Sequence, residues 1–276
     1  MRLAPRLGTT TGPTRRARPV LGAVLVGLLP LASGTHAATA GQRRAAPPAE
    51  RRFVIGYSLE RRPIVAILVG SERAPRRMLV VGCTHGNETA GIPVADALAA
   101  SGPVRGVALW IVPTMNPDGV AARTRANARG VDLNRNFPDA WRPLGPRGSA
   151  EYAGARPLSE PESRAMASLI EAVRPGVAVW FHQPLGLVDD SEGPRRLERL
   201  FAARVGLPLT PLPDYPGSAI GWEDHLVANS AFVVELPPGQ LSPASRRRYV
   251  AALRTLAAGA PPTTPVARAP ARLRLA

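Results

Sequence analysis

Along the chain, short unbroken apolar runs alternate with stretches in which apolar residues recur every three or four positions. Residues 53–57 and 64–69 are two strand-like runs separated by the polar segment SLERR, a pattern that predicts a hairpin. MLVV at 78–81 is wholly apolar, as expected of a short buried strand. A helix is predicted over 89–100, ended by Ser101-Gly102-Pro103. The next strand, 107–112, leads into Asn116-Pro117-Asp118-Gly119. From about 114 to 158 no period is sustained, and no regular element is predicted. Ser159-Glu160-Pro161-Glu162 then joins a capping signal to a proline at the first helical position, predicting a helix to about 173. Strands at 177–181 and 231–234 and helices at 195–205 and 242–258 complete the pattern. Strands alternating with helices place the chain in the α/β class, with a largely parallel sheet covered by helices on both faces.

The ends of the chain break this pattern. Arg2, Arg6, Arg15, Arg16 and Arg18 precede an apolar run at 20–31, and Ala38-Thr39-Ala40 follows as an A-x-A cleavage site. The run is shorter than the ~20 residues a spanning helix needs. Residues 1–40 are therefore expected to be an export signal, by the general or the twin-arginine route. The mature protein would be periplasmic, wall-associated or extracellular, with no stable membrane span. Residues 41–50 read as a linker, 51–259 as the folded domain, and 260–276 as a disordered Pro/Ala/Arg tail.

Composition changes one inference. The chain of 276 residues is 45% hydrophobic, which excludes wholesale disorder, yet its net charge is +15. A nucleic-acid partner is the simple reading of that charge. Against it, all 35 basic residues are arginine, and much of the excess lies in the two ends. Basic residues are not interleaved with aromatics as single-strand binding requires, so no nucleic-acid partner is expected. The lone cysteine, Cys83, excludes an internal disulfide and reads as a small packed residue at a strand end.

In such sheets ligands bind beyond the carboxyl ends of the strands. The strand at 78–81 leads into His85-Gly86-Asn87-Glu88, and a His and a Glu three apart at a strand-to-helix turn can project onto one point. The strand at 177–181 is followed by His182. His85, Glu88 and His182 thus offer two imidazoles and a carboxylate, a three-ligand catalytic zinc set with a position left for water. The alternatives are helix capping by Glu88 and a structural hydrogen bond for His182. Glu235 closes the strand at 231–234, where an acid is costly to bury unless paired or catalytic; otherwise it faces solvent. The aperiodic stretch contains TRANARGVDLNRNFP, whose alternating arginines and amides suit recognition of a carboxylate.

HGNE, NPDG, TRANARGVDLNRNFP, the strand ending at His182, and FVVEL with Glu235 occur in one order that resembles the zinc carboxypeptidase family over about residues 50–258. The resemblance implies a three-layer α/β/α fold with a mixed, largely parallel sheet, making 51–259 the catalytic domain. It also implies one zinc ion held by His85, Glu88 and His182. Glu235 would be the general base, Arg125 would polarise the scissile carbonyl, and Asn134 and Arg135 would clamp the substrate's terminal carboxylate. Tyr215 lies near the region of the family's substrate-capping tyrosine. FHQPLG and YPGS are most similar to the murein peptide amidase subgroup, which implies a γ-D-glutamyl–meso-diaminopimelate bond in peptidoglycan stem peptides as substrate. Asp189 and Asp190 are expected as solvated loop acids, with contact to a cationic side chain as the alternative, and His225 as a surface histidine. Two other functions share parts of the pattern: an N-acyl amino acid deacylase of the succinylglutamate desuccinylase/aspartoacylase type, and a peptide-binding relative without catalysis.

Overall fold

The computed structural model describes residues 50–189, 195–227, 231–263 and 274–275. The expected leader, nearly all of the linker and Asp190 lie outside them. The strands are β1 (Glu50–Tyr57), β2 (Pro63–Gly70), β3 (Arg76–Val81), β4 (Val107–Val112), β5 (Val177–His182), β6 (Leu187–Asp189), β7 (Leu209–Thr210), β8 (Ala231–Glu235) and β9 (Arg274–Leu275). The helices are α1 (Ile92–Ala99), α2 (Pro117–Ala122), α3 (Pro161–Val173), α4 (Arg195–Val205), α5 (Ala219–Leu226) and α6 (Pro243–Gly259).

The strands form one sheet in the order β7-β6-β8-β5-β3-β4-β2-β1-β9. Its centre, β8-β5-β3-β4, is parallel throughout, whereas β4-β2, β2-β1 and β6-β8 are antiparallel. The expected hairpin is β1-β2. Every residue of β4 and β5 is buried, as unbroken apolar runs require when helices cover both faces. Side chains alternate between those faces. Met78 and Val80 join Leu98 of α1, Phe201 of α4 and Leu253 of α6 in one core. Leu79 and Val81 join Ile170 of α3 and Trp222 of α5 in the other. Cys83 is buried as expected, its Sγ 3.1 Å from the carbonyl of His85.

Several elements differ from expectation; α5, β6 and β7 are short elements that the apolar pattern does not predict. The stretch at 114–158 contains α2, held by the Asn116 side chain accepting from Gly119 N and by Pro117 in its first turn. Six residues are too few to show a helical period, so capping and packing define this helix instead. At α3 the residue before Pro161 is Glu160, whose side chain makes no capping bond; Ser159 Oγ donates to the Glu160 carboxylate instead. The tail expected to be disordered from 260 begins ordered. Ala260 is buried, Thr263 N donates to Pro75 O at 2.8 Å, and β9 pairs with β1. A sheet edge supplies backbone partners that tail composition does not reveal. Among the described residues no helix is long and apolar enough to cross a membrane.

One buried acid lies beneath the sheet's active end without belonging to it. Glu223 of α5 is fully buried, and its Oε2 accepts from Trp180 Nε1 at 2.9 Å. Burial pushes its carboxyl up to about 8, against a smaller opposing pull from the Trp180 bond. Between its ordinary range and that value the unfolded chain is ionised and the folded chain protonated, so stability falls as pH rises. Glu223→Gln keeps an acceptor for Trp180 and has no charge to bury. Urea unfolding should show wild type losing, relative to this variant, about 3–4 kcal/mol between about pH 5 and pH 8. Parallel pH profiles for the two proteins would exclude a buried titrating Glu223.

Candidate active site

The turn after β3 carries His85 and Glu88, and its shape depends on glycine. A Cβ on Gly86 would sit 1.9 Å from the carbonyl carbon of Gly119, so this turn lies directly on α2. Only a residue without a side chain permits that approach. His182 is the last residue of β5, two strands from β4. In the parallel β5-β8 register it lies opposite Glu235. Strand pairing therefore delivers both residues to one rim.

His85 Nδ1 and Glu88 Oε1 are 3.0 Å apart, His182 Nδ1 and Glu88 Oε2 are 3.0 Å apart, and the two Nδ1 atoms are 3.1 Å apart. All three side chains are buried. Tetrahedral zinc ligands at ~2.0–2.1 Å from the ion stand about 3.3 Å from one another, so the cluster fits the ion to within a few tenths of an ångström. Glu88 does not cap the short helix that follows; its oxygens face the imidazoles. Burial works against its charge, but bonds from His182 and His85 outweigh that and hold the carboxyl well below the usual range.

Asp132 organises this cluster. Its Oδ1 accepts from His85 Nε2 and from Asn134 N, both at 2.9 Å. Its Oδ2 accepts from Arg125 Nε at 3.1 Å and Nη2 at 2.8 Å. The bond to His85 Nε2 leaves Nδ1 with its lone pair toward the cluster, the tautomer a metal needs. Burial opposes ionisation of Asp132, yet His85, Arg125 and Arg135 together hold it well below the carboxylate range. In turn, burial tends to lower His85, and Asp132 and Glu88 raise it overall. The sequence alone assigns no site role to Asp132, which stands in TRANARGVDLNRNFP. A carboxylate two residues before a candidate clamp was the available signal.

A cavity of about 390 Å³ opens over the cluster and is lined by Arg125, Asn134, Arg135, Tyr215 and Glu235 as well. Asn134 Oδ1 accepts from Ala219 N at 2.9 Å, which fixes the amide's orientation and leaves its NH₂ group free of that bond. Arg135 is buried, with Nη1 donating to Asn134 O, and its guanidinium lies 4.2 Å from the Tyr215 ring centroid. That places Tyr215 on the cavity wall and pins the cation by its flat face. Gly217 packs against the Arg135 backbone and bonds to Phe137 and Asp139, joining the two loops. Glu235 is half-buried, with Oε2 3.3 Å from Leu185 N. Burial pushes its carboxyl up, partly countered by His182.

Not every polar residue of the loop reaches the cavity. Asn127 and Asn136 are buried braces: Asn127 bonds Glu160 and Glu162, and Asn136 bonds Ala153 O and Ser159. Asp189, expected as a solvated loop acid, is instead buried in β6 and lines the cavity, its Oδ1 accepting from Leu212 N. Pairing of β6 with β8 and β7 encloses it. His225 lies on the surface, bonded to Gly221 O.

A buried two-His, one-carboxylate cluster at the carboxyl end of a parallel sheet, with Glu235 and Arg135 lining the same cavity, is the arrangement of a zinc hydrolase. A family profile described as zinc carboxypeptidase matches residues 38–183, and the chain belongs to that family. Murein peptide amidase A of Vibrio campbellii is 36% identical over 175 residues, 59% of this chain and 70% of that protein. Murein peptide amidase A of Escherichia coli K12 is 31% identical over 234 residues, 78% of this chain and 92% of that protein. The crystal structure of murein-tripeptide amidase from Escherichia coli O157 superposes with a TM-score of 0.63 at 29% identity, over 80% of this chain and 96% of that one. Zinc is the cofactor of this family, and His85, Glu88 and His182 form the site that fits it.

Asp132→Asn keeps an acceptor near His85 but loses the charge that orients the imidazole and holds Arg125. Zinc affinity, measured by competition with a chelator, should weaken about 10- to 100-fold. Unchanged affinity would remove Asp132 from the metal site.

Proposed function

We propose that this chain is an exported zinc metallocarboxypeptidase that hydrolyses the γ-D-glutamyl–meso-diaminopimelate amide bond of peptidoglycan stem peptides. One observation carries the reading: Arg135, Asn134 and the half-buried Glu235 line the same cavity as the metal residues. Similarity to murein peptide amidases over most of their length supports the peptidoglycan assignment. The arginine-rich start and the apolar run at 20–31 support export.

His85, Glu88 and His182 hold the zinc, which when bound supplies Lewis acidity to the water and the scissile carbonyl. Arg135 and the Asn134 NH₂ group bind the carboxylate of the C-terminal residue. That contact sets the amide bond's place relative to the metal residues. Glu235 accepts a proton from the attacking water and returns it to the leaving amine. Its partial burial keeps it basic enough for that exchange. Arg125 donates to the carbonyl oxygen as negative charge grows there, an effect of ~3 kcal/mol in comparable sites. Asp132 fixes the direction from which it donates.

Digestion of L-Ala-γ-D-Glu-meso-diaminopimelate, read by mass, should yield L-Ala-D-Glu and free diaminopimelate, and a chelator should stop it. Glu235→Gln should lower kcat about a thousandfold while zinc content stays near one per chain. Full turnover in that variant would overturn the assigned mechanism, and cleavage of N-acyl amino acids in place of the tripeptide would overturn the substrate. For export, the mature chain recovered from the host should begin after Ala40; a chain retaining its first residues inside the cell would refute that assignment.

A further inference from the structure

The catalytic cavity does not end at the metal residues. A second cavity of about 350 Å³ shares Glu88, Arg125, Gln183 and Pro184 with the first but has neither Asn134 nor Arg135 in its wall. A third, of about 470 Å³, shares Asn87, Thr89 and Gln240 with the second and continues to Val120 and Arg123. Neighbouring cavities thus share wall residues in turn, from Asn134 and Arg135, past the metal residues, to Arg123. On the proposed reading, a substrate bound by its C-terminal carboxylate at Asn134 and Arg135 extends its acyl portion toward this far part.

The chemistry of that far part is selective. Apart from the metal-facing Glu88, its polar lining is amides, one threonine and the cations Arg125 and Arg123. Arg125 is held by Asp132 and Glu88 and, in the proposed mechanism, serves the scissile carbonyl. Arg123 is exposed, and its guanidinium makes no hydrogen bond or ion pair among the described residues. Asn87, also exposed, likewise has an unengaged side chain. Arg123 occupies the left-handed C-cap of α2 (φ 56°), which turns the chain there and separates it from Arg125. The same α2 bears on Gly86, in the turn that carries His85 and Glu88. The position of Arg123 relative to the metal residues is therefore set by backbone packing.

We propose that Arg123, with Asn87 beside it, is a specificity residue that pairs with a free carboxylate on the acyl side of the scissile bond. This rests on the proposed peptidase function and refines it: preferred substrates carry two carboxylates, one on each side of the scissile bond. A γ-linked glutamyl residue supplies the second as its unbonded α-carboxylate. Guanidinium recognises such a group through a charge-assisted, bidentate bond.

The test compares L-Ala-γ-D-Glu-meso-diaminopimelate with its isoglutamine counterpart, in which that α-carboxylate is a carboxamide of the same shape. Zinc-loaded wild type should prefer the carboxylate peptide about five- to tenfold in kcat/KM, mainly through KM. In Arg123→Gln that ratio should collapse to about one, and Arg123→Lys should restore part of it. In parallel, calorimetry measures binding of the acyl-side dipeptides L-Ala-D-Glu and L-Ala-D-isoglutamine to the same proteins. A carboxylate preference that Arg123→Gln abolishes supports the assignment; equal affinities in wild type, or a preference that survives in Arg123→Gln, overturn it. Failure of wild type to cleave either tripeptide counts against the substrate reading alone, because the binding arm still decides the role of Arg123.

Discussion

The site depends on a single buried carboxylate. Asp132 spends both oxygens on four donors: His85 Nε2, Asn134 N, and Nε and Nη2 of Arg125. One group thereby orients a metal residue, the cation beside it and the backbone of Asn134. Such a group is stable inside only because its charge is fully compensated; left with fewer donors, it would be a costly buried anion. Fixing these donors to one another also means the site is assembled before substrate arrives, which is where preorganised electrostatics gains its effect.

The sheet supplies the other half of the geometry. Parallel pairing of β5 with β8 sets His182 opposite Glu235, and pairing of β3 with β5 brings the turn bearing His85 and Glu88 to the same edge. A one-residue slip would turn the side chains of a strand to the opposite face. The continuous apolar runs and the two cores they feed, one on each face, hold that register. Packing energy and site geometry are linked here: the helices that bury the sheet also keep its rim aligned.

Much of this was legible in the chain. The strands that matter are unbroken apolar runs, and His85, Glu88, His182 and Glu235 stand out because polar groups directly after such runs need a reason to be there. The loop was harder. Asn127, Asn134 and Asn136 look alike in TRANARGVDLNRNFP, yet two are internal braces and one lines the cavity. No period distinguishes them, since their neighbours are remote: Asn127 meets Glu160 and Glu162, while Asn134 meets the start of α5. Asp189 differs from expectation for the same reason, its burial coming from strand pairing of β6 with β7 and β8 rather than from local polarity. The short α2 leaves no period in the sequence because its order comes from an Asn116 cap and contact with Gly86.

By itself, the sequence determined the α/β class, the order of the central elements and the residues able to bind zinc, because these follow from local periodicity and from chemistry at strand ends. Tertiary structure alone decided which loop side chains face the cavity, that Asp132 bonds both His85 and the backbone of Asn134, and that Arg123 and Asn87 line one cavity. Those are contacts between residues far apart in the chain. Whether an arginine or an amide braces a loop or meets a ligand depends on which partners the fold brings to it, and composition carries no record of that.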